Sequence, residues 1–224
     1  MDPERLWLDR GTSRLGRPPA RTRPQIVAEA IAIADADGLA AVTMRRVAAG
    51  LGVGTMTLYT YASDKRTLVE LMIDAAAGEV ELAAPTGDWR TDLRAQCHSQ
   101  REVFRRHPWL HAAQSDRRTL GPNLLAFMEH TLAILEPTGR DGPSLLEIIA
   151  LLTGFIGSHV LHERTQERAG TDPQHNAEAQ SRYLHKAVAA YDLPRLAALL
   201  AAPDQVPPPD FEQLLNRMIE GLLG

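Results

Sequence analysis

The chain has 224 residues, 44% of them hydrophobic and 5% aromatic, with 24 Lys+Arg against 28 Asp+Glu for a formal charge of −4. That length allows one large or two small domains with a sizeable core, and the single cysteine, Cys97, excludes an internal disulfide. No stretch alternates polar and apolar residues long enough to form a strand, so the expected fold class is all-α.

Charge is unevenly spread. Residues 1 to 66 hold ten Lys+Arg and seven Asp+Glu, so the first part is net positive and the remainder net negative. Arg10, Arg14, Arg17, Arg21 and Arg23 follow one another with no acid after Asp9. Such a run is either a solvated tail or an arm for an anionic partner. The opening MDPERLWLDRGTSR carries acids and arginines where a signal peptide has an apolar core, which predicts a cytoplasmic protein. The longest apolar stretch, Leu145 to Leu161, carries Glu147 and His159 and is short of the about 20 residues a membrane span needs. A buried helix is expected there, and no membrane partner.

In chain order, Pro24 suits the first turn of a helix whose apolar positions Ile26, Val27, Ala30, Ile31 and Ala34 recur until Gly38. Thr43 is the expected N-cap of a short helix, Met44 to Ala49. Gly50 to Val53 turns into another that ends near Tyr61, and Ser63 caps a fourth running to about Ala84. Pro85-Thr86-Gly87 marks a boundary. Beyond it helices are expected near Trp89 to Arg106, Trp109 to Gln114, Pro122 to Leu135, Ser144 to Arg168, Ala177 to Ala190, Leu193 to Ala201 and Asp210 to Leu223. Ala169 to His175 is expected to be a polar loop, and Ala202 to Pro209 a proline-rich connector.

Val47, Ala48, Leu51, Gly52, Val53, Leu58 and Tyr61 have the spacing of a helix-turn-helix. Ala48 must be small where the second helix crosses, and Gly52 suits the positive φ of the tight turn. An ordinary helical hairpin would rarely satisfy all seven positions. The second of the two helices then presents Gly54, Thr55, Met56, Thr57, Tyr59 and Thr60, a face rich in hydroxyls and poor in charge. Threonine can hydrogen-bond a base edge or touch a thymine methyl, and tyrosine can reach a phosphate, so this face is the expected reader of DNA. Lys65 and Arg66 stand in the first turn of the next helix, where the macrodipole opposes positive charge. Either Asp64 offsets them in solvent or a DNA phosphate does.

At these residues the segment VTMRRVAAGLGVGTMTLYTYASDKRTLVELM, Val42 to Met72, resembles the DNA-binding domain of the tetracycline-repressor (TetR) family of transcriptional regulators. The closing FEQLLNRMIEGLLG is similar to the TetR-type regulatory domain. The resemblance implies a homodimeric repressor that binds a palindromic operator and is released by a small-molecule effector. The implied architecture is a flexible basic arm over 1–23, a helix-turn-helix domain with its linking helix over 24–84, and a ligand-binding and dimerisation bundle over 85–224. It also implies that Thr57 and Thr60 meet bases, Tyr59, Lys65 and Thr43 phosphates, and Arg45 a base or phosphate. Arg17, in GRPPARTR, resembles a minor-groove hook. Gly54 departs from the capping serine common in the family, and Thr60 and Tyr61 depart from the tetracycline repressor itself, so that operator does not transfer.

In the second region, Gly154, Gly157 and Ser158 leave a shallow groove on an apolar helix. Together with the stripe of the last helix, Phe211, Leu215, Met218 and Leu222 among it, this suggests a four-helix dimer interface, unless both stripes face their own core. His98, Phe104, Trp109, Phe127, Met128 and His162 could line an effector pocket, or be plain core and surface. His159, His162 and Glu163 lie one turn apart, but a metal site is not the favoured reading. No nucleophile–base grouping, phosphate loop or carboxylate pair is present, so neither catalysis nor a cofactor is expected. An activator or architectural DNA-binding protein on the same scaffold is the alternative, and a helical enzyme a more distant one.

Overall fold

The structure is a computed structural model that describes residues 3–8, 21–115, 120–168, 173–201 and 209–224, the side chains of 168 and 173–180 excepted. Every regular element among these residues is helical: α1 Pro3–Trp7, α2 Arg23–Asp37, α3 Met44–Leu51, α4 Thr55–Tyr59, α5 Lys65–Ala77, α6 Trp89–Arg106, α7 Leu110–Ser115, α8 Pro122–Leu135, α9 Gly142–Arg168, α10 Pro173–Ala190, α11 Pro194–Ala201 and α12 Phe211–Leu223, with short 3-10 turns at Leu39–Ala41 and Glu136–Thr138. The chain divides into two compact units, one of residues 1–160 with Leu223 and the other of residues 161–222 with Gly224.

Local chemistry sets the helix starts. Thr22 and Gln25 exchange side-chain-to-backbone bonds as a capping box, with Pro24 in the first turn, and Gly38 ends α2 at φ 84. Thr43 caps α3 by accepting from the Arg46 N–H at 3.1 Å. Gly52 follows α3 in the left-handed region at φ 67, a conformation that costs a side-chain-bearing residue about 1–2 kcal/mol.

Several boundaries differ from expectation. The cap of α5 is Asp64 rather than Ser63, because the carboxylate reaches the Thr67 N–H at 2.7 Å while the Ser63 hydroxyl meets the Thr67 hydroxyl. That helix also stops at Ala77, well before Ala84. Gly78 is the point of close approach to α8: a Cβ there would lie 2.8 Å from Asn123 Nδ2. Helix α1 was not anticipated, since five residues carry no measurable period, yet Leu6 on it is buried. Helix α10 begins at Pro173, inside the segment expected to be a loop. Helix α9 has 27 residues and is long and apolar enough to cross a membrane by length and composition, so the length argument fails. Its Leu145, Ile148, Ile149, Leu152, Ile156 and Val160 are instead buried at intervals of one to four residues, mostly three or four. Each such side chain contributes about 1.5–3 kcal/mol by leaving water.

Helix α5 is the central element of the first unit. All but one of the residues from Thr67 to Ala77 are buried, including Glu70 and Asp74, and α2, α7 and α8 pack on it.

Candidate nucleic-acid interface and cavity

The α3–α4 pair is held by its own small and apolar residues. Val47 and Leu58 are fully buried, Ala48 nearly so, and the Val53 N–H returns to the Ala48 carbonyl at 3.0 Å. This leaves one face of α4 outside. Met56 is 76% exposed and Tyr59 46%, Gly54 and Thr60 are exposed, and Thr55 and Thr57 are half-buried. Met56 and Tyr59 are thus open to contact beside the threonines of the same short helix. The Thr60 hydroxyl donates to the Thr57 carbonyl at 2.6 Å, which leaves its lone pairs outward. Gly54 occupies the cap position of α4 without a side-chain hydrogen bond.

Thr43 and Arg45 are exposed at the start of α3, beside Arg46, which pairs with Asp37. Lys65 answers the question its position raised in a third way. Its ammonium donates to the carbonyls of Leu39 at 3.1 Å and Ala40 at 3.4 Å, so the turn before α3 offsets the charge at the α5 N-terminus. Two residues not expected to matter together fix the root of the arm. The Arg21 guanidinium donates twice to the Leu51 carbonyl, at 2.8 and 3.2 Å, and the Tyr61 hydroxyl donates to the Arg21 carbonyl. Arg17 lies outside the described residues.

The first unit also ties these helices to those that follow. Asp74 Oδ1 accepts from the N–H groups of Asn123 and Leu124 at 3.0 and 3.1 Å, fastening α5 to the start of α8, and burial pushes its carboxyl pKa up. His107, at the end of α6, is 3% exposed and has Asp35 on one ring nitrogen and Glu79 on the other. Burial acts to raise the Glu79 pKa, but the bonds from His107 and Arg106 and their charges outweigh it and hold it low.

Between α5, α6, α7, α8 and α9 lies a cavity of about 380 Å³, with apolar walls that include Leu124, Phe127, Met128 and Ile149. Gln100, His111, Gln114 and Thr153 supply its polar groups. Gln100 Nε2 donates to the Thr153 hydroxyl at 3.2 Å, and Gln114 Oε1 is shielded from solvent without a hydrogen-bond partner. Of the residues expected at a pocket, Phe127 and Met128 are on this wall. Phe104 and Trp109 are buried elsewhere, His98 is half-buried and His162 exposed, and none of the four lines it. The polar residues were missed because single Gln, His and Thr positions on helices carry no sequence pattern.

Of the expected interface residues, Gly154 lies on the cavity wall and Ser158 is exposed on α9. Phe211 and Leu215 are buried, and Met218 and Leu222 half-buried.

Residues 26–72 match the family profile of bacterial regulatory proteins, tetR family, and residues 83–224 that of the tetracyclin repressor-like C-terminal domain. The chain belongs to the TetR family. Among curated relatives of this TetR-family chain is the HTH-type transcriptional repressor DrrR1 of Streptomyces coeruleorubidus, 34% identical, with 98% of this chain and 83% of that protein covered. An HTH-type transcriptional regulator of Saccharopolyspora erythraea is also 34% identical, over 68% of this chain and 66% of its own. Among solved structures, the TetR-family protein ActR of Streptomyces coelicolor in complex with actinorhodin is 32% identical and superposes with a TM-score of 0.75, over 91% of this chain and 97% of that one.

Proposed function

We propose that this TetR-family chain is a transcriptional repressor that binds a palindromic operator as a homodimer and leaves it when a small molecule occupies the α5–α9 cavity. The observation that carries the reading is the α4 face: an exposed methionine, a tyrosine and a row of threonines on a helix fixed by a helix-turn-helix core. Phosphate contacts fall to Thr43, Tyr59, the arm with Arg17 and Lys65, whose ammonium keeps a third N–H beyond those given to Leu39 and Ala40, and base contacts to Thr57, Thr60 and Arg45. Gly54, Thr55 and Met56 complete the surface. In a dimer the two α4 helices would enter successive major grooves about 34–36 Å apart.

The ligand is apolar and partly aromatic, as the Phe127 and Met128 wall requires, and carries a hydrogen-bond donor for Gln114 Oε1. DrrR1 is named a repressor and ActR is seen with a bound small molecule, which supports the same logic here. The dimer reading draws on α9, where Leu151 and Ser158 are exposed on one face, and on the stripe of α12. The segments 1–23, 24–84 and 85–224 are then arm, reading domain and regulatory domain, in a cytoplasmic protein.

Selection of duplexes from genomic fragments by the purified protein, followed by footprinting, tests this. Protection of two inverted half-sites one turn apart supports the reading. Retention of fragments without any shared sequence contradicts it.

A further inference from the structure

Four hydrogen bonds and one buried ring join three separate parts of the first unit. His107 Nδ1 lies 2.8 Å from Asp35 Oδ1, and His107 Nε2 lies 3.1 Å from Glu79 Oε2. Trp109 Nε1 donates to the same Asp35 oxygen at 2.7 Å, and Arg106 reaches the same Glu79 oxygen. Asp35 belongs to α2, the first helix of the reading head, and Glu79 follows the end of α5. His107 and Trp109 flank Pro108 between α6 and α7.

Helix α7 carries His111 and Gln114 onto the cavity wall. Its His111 is closely packed: a Cβ on Gly157 of α9 would sit 2.2 Å from His111 Nδ1, and the Phe104 ring meets His111 edge-on at 5.8 Å. Pro108 fixes one backbone dihedral of the short connection, and the Leu110 N–H returns to the His107 carbonyl at 2.9 Å. Helix α7 is thus joined through the 107–109 turn to the contacts on Asp35.

Carboxylates only accept hydrogen bonds, so both bonds to the His107 ring form only when both ring nitrogens carry hydrogen. A neutral imidazole has one N–H and turns a lone pair toward the other carboxylate. The charged and titratable groups around the ring are Asp35 from α2, Glu79 from the segment after α5 and Arg106 from α6. The first histidine in the sequence is His98, and no side chain in residues 1–96 has an ordinary pKa between about 5 and 9. The reading head and arm thus contain no imidazole of their own.

We infer that His107 is a positioning residue for operator binding: bridged to Asp35 and Glu79, it holds α2 in the orientation that reads DNA and ties that orientation to the helix lining the cavity. The inference rests on the operator-binding reading above. The bridge needs hydrogen on both ring nitrogens, so the operator affinity it supports is expected to fall at higher pH.

The test uses the full chain and a duplex selected by the protein from a random pool, with affinities measured at pH 6.0 and 7.5 at constant ionic strength. One linked proton permits at most about tenfold per pH unit, and the wild type is expected to lose about fivefold across this range. His107→Gln removes the bridging ring. Glu79→Gln neutralises a partly exposed partner and is the safer change for folding. Both are expected to show a change of about twofold or less with wild-type helix content by circular dichroism. A flat wild-type profile, or an unchanged slope in whichever variants fold, overturns the bridge alone. A wild type that binds no selected duplex at either pH contradicts the operator-binding reading, and the bridge with it.

Discussion

The Tyr61 hydroxyl donates to the main-chain carbonyl of Arg21 at 2.6 Å, across 40 residues of sequence. Arg21 in turn grips the last carbonyl of α3 through its guanidinium. The root of the basic arm is thereby fixed beside the turn that sets α4. Tyr61→Phe removes one hydrogen bond, about 1 kcal/mol or roughly fivefold in affinity. The loss is expected on duplexes with A·T-rich flanks and absent when residues 1–20 are deleted from both proteins. Fluorescence anisotropy with flank-varied duplexes measures it.

Lys65 and Thr60 should separate affinity from sequence choice. Lys65→Ala is expected to weaken binding to every duplex and to reduce the slope of log K against log salt by about 0.9, one phosphate contact. Thr60→Ala should leave that slope unchanged and relax the preferred base at one position, at a cost of about 1–3 kcal/mol. Identical behaviour of the two variants on a panel of single-base operator changes would remove the distinction.

Asp64 gives α5 an acid-sensitive start. The Thr67 N–H, above all, holds its carboxyl below the ordinary 3.8, against a smaller effect of burial. A depressed folded pKa means that the stabilisation is complete above the ordinary value and is lost as pH falls through the folded one. Asp64→Ala is therefore expected to cost about 1 kcal/mol at pH 7. The gap between variant and wild type should narrow in urea titrations as the pH falls through the depressed folded pKa. Asp74 acts with the opposite sign, since burial raises its pKa and ionisation then costs stability as pH rises.

Much of the reading head was legible because its constraints are local. Thr43 as a cap, Gly52 in the turn, and the small Ala48 each act within a few residues. What escaped depended on distant partners. Asp64 displaced Ser63 as cap because a carboxylate reached a backbone N–H three residues on. The end of α5 at Ala77 has no signal in the sequence, and the close approach of Asn123 to the glycine that follows is invisible without the tertiary contact. The cavity was half legible: Phe127 and Met128 announced themselves as large apolar side chains, whereas Gln100, His111, Gln114 and Thr153 converge only once three helices are packed. Trp109, a pocket or core aromatic by sequence, is buried with its indole N–H on Asp35.

The proposed dimer can be challenged at a position that leaves the single chain intact. Leu215 is 0% exposed, so a charge there would disrupt folding and say little about association. Leu151 is 45% exposed on α9. Leu151→Arg is expected to keep its helix content and melting temperature while shifting sedimentation from dimer to monomer. A stable dimer in that variant would place the interface away from this face of α9.

The central claim is that one cavity and one reading face belong to a single equilibrium. The most direct measurement is calorimetric titration of an apolar aromatic compound that raises the melting temperature of the protein, with and without saturating operator. A coupling of about 1–3 kcal/mol is expected, so operator should weaken the compound by about 5- to 150-fold, and the compound should weaken operator by the same factor. Equal affinities in the two titrations would contradict the account and leave a DNA-binding protein whose cavity has no part in release.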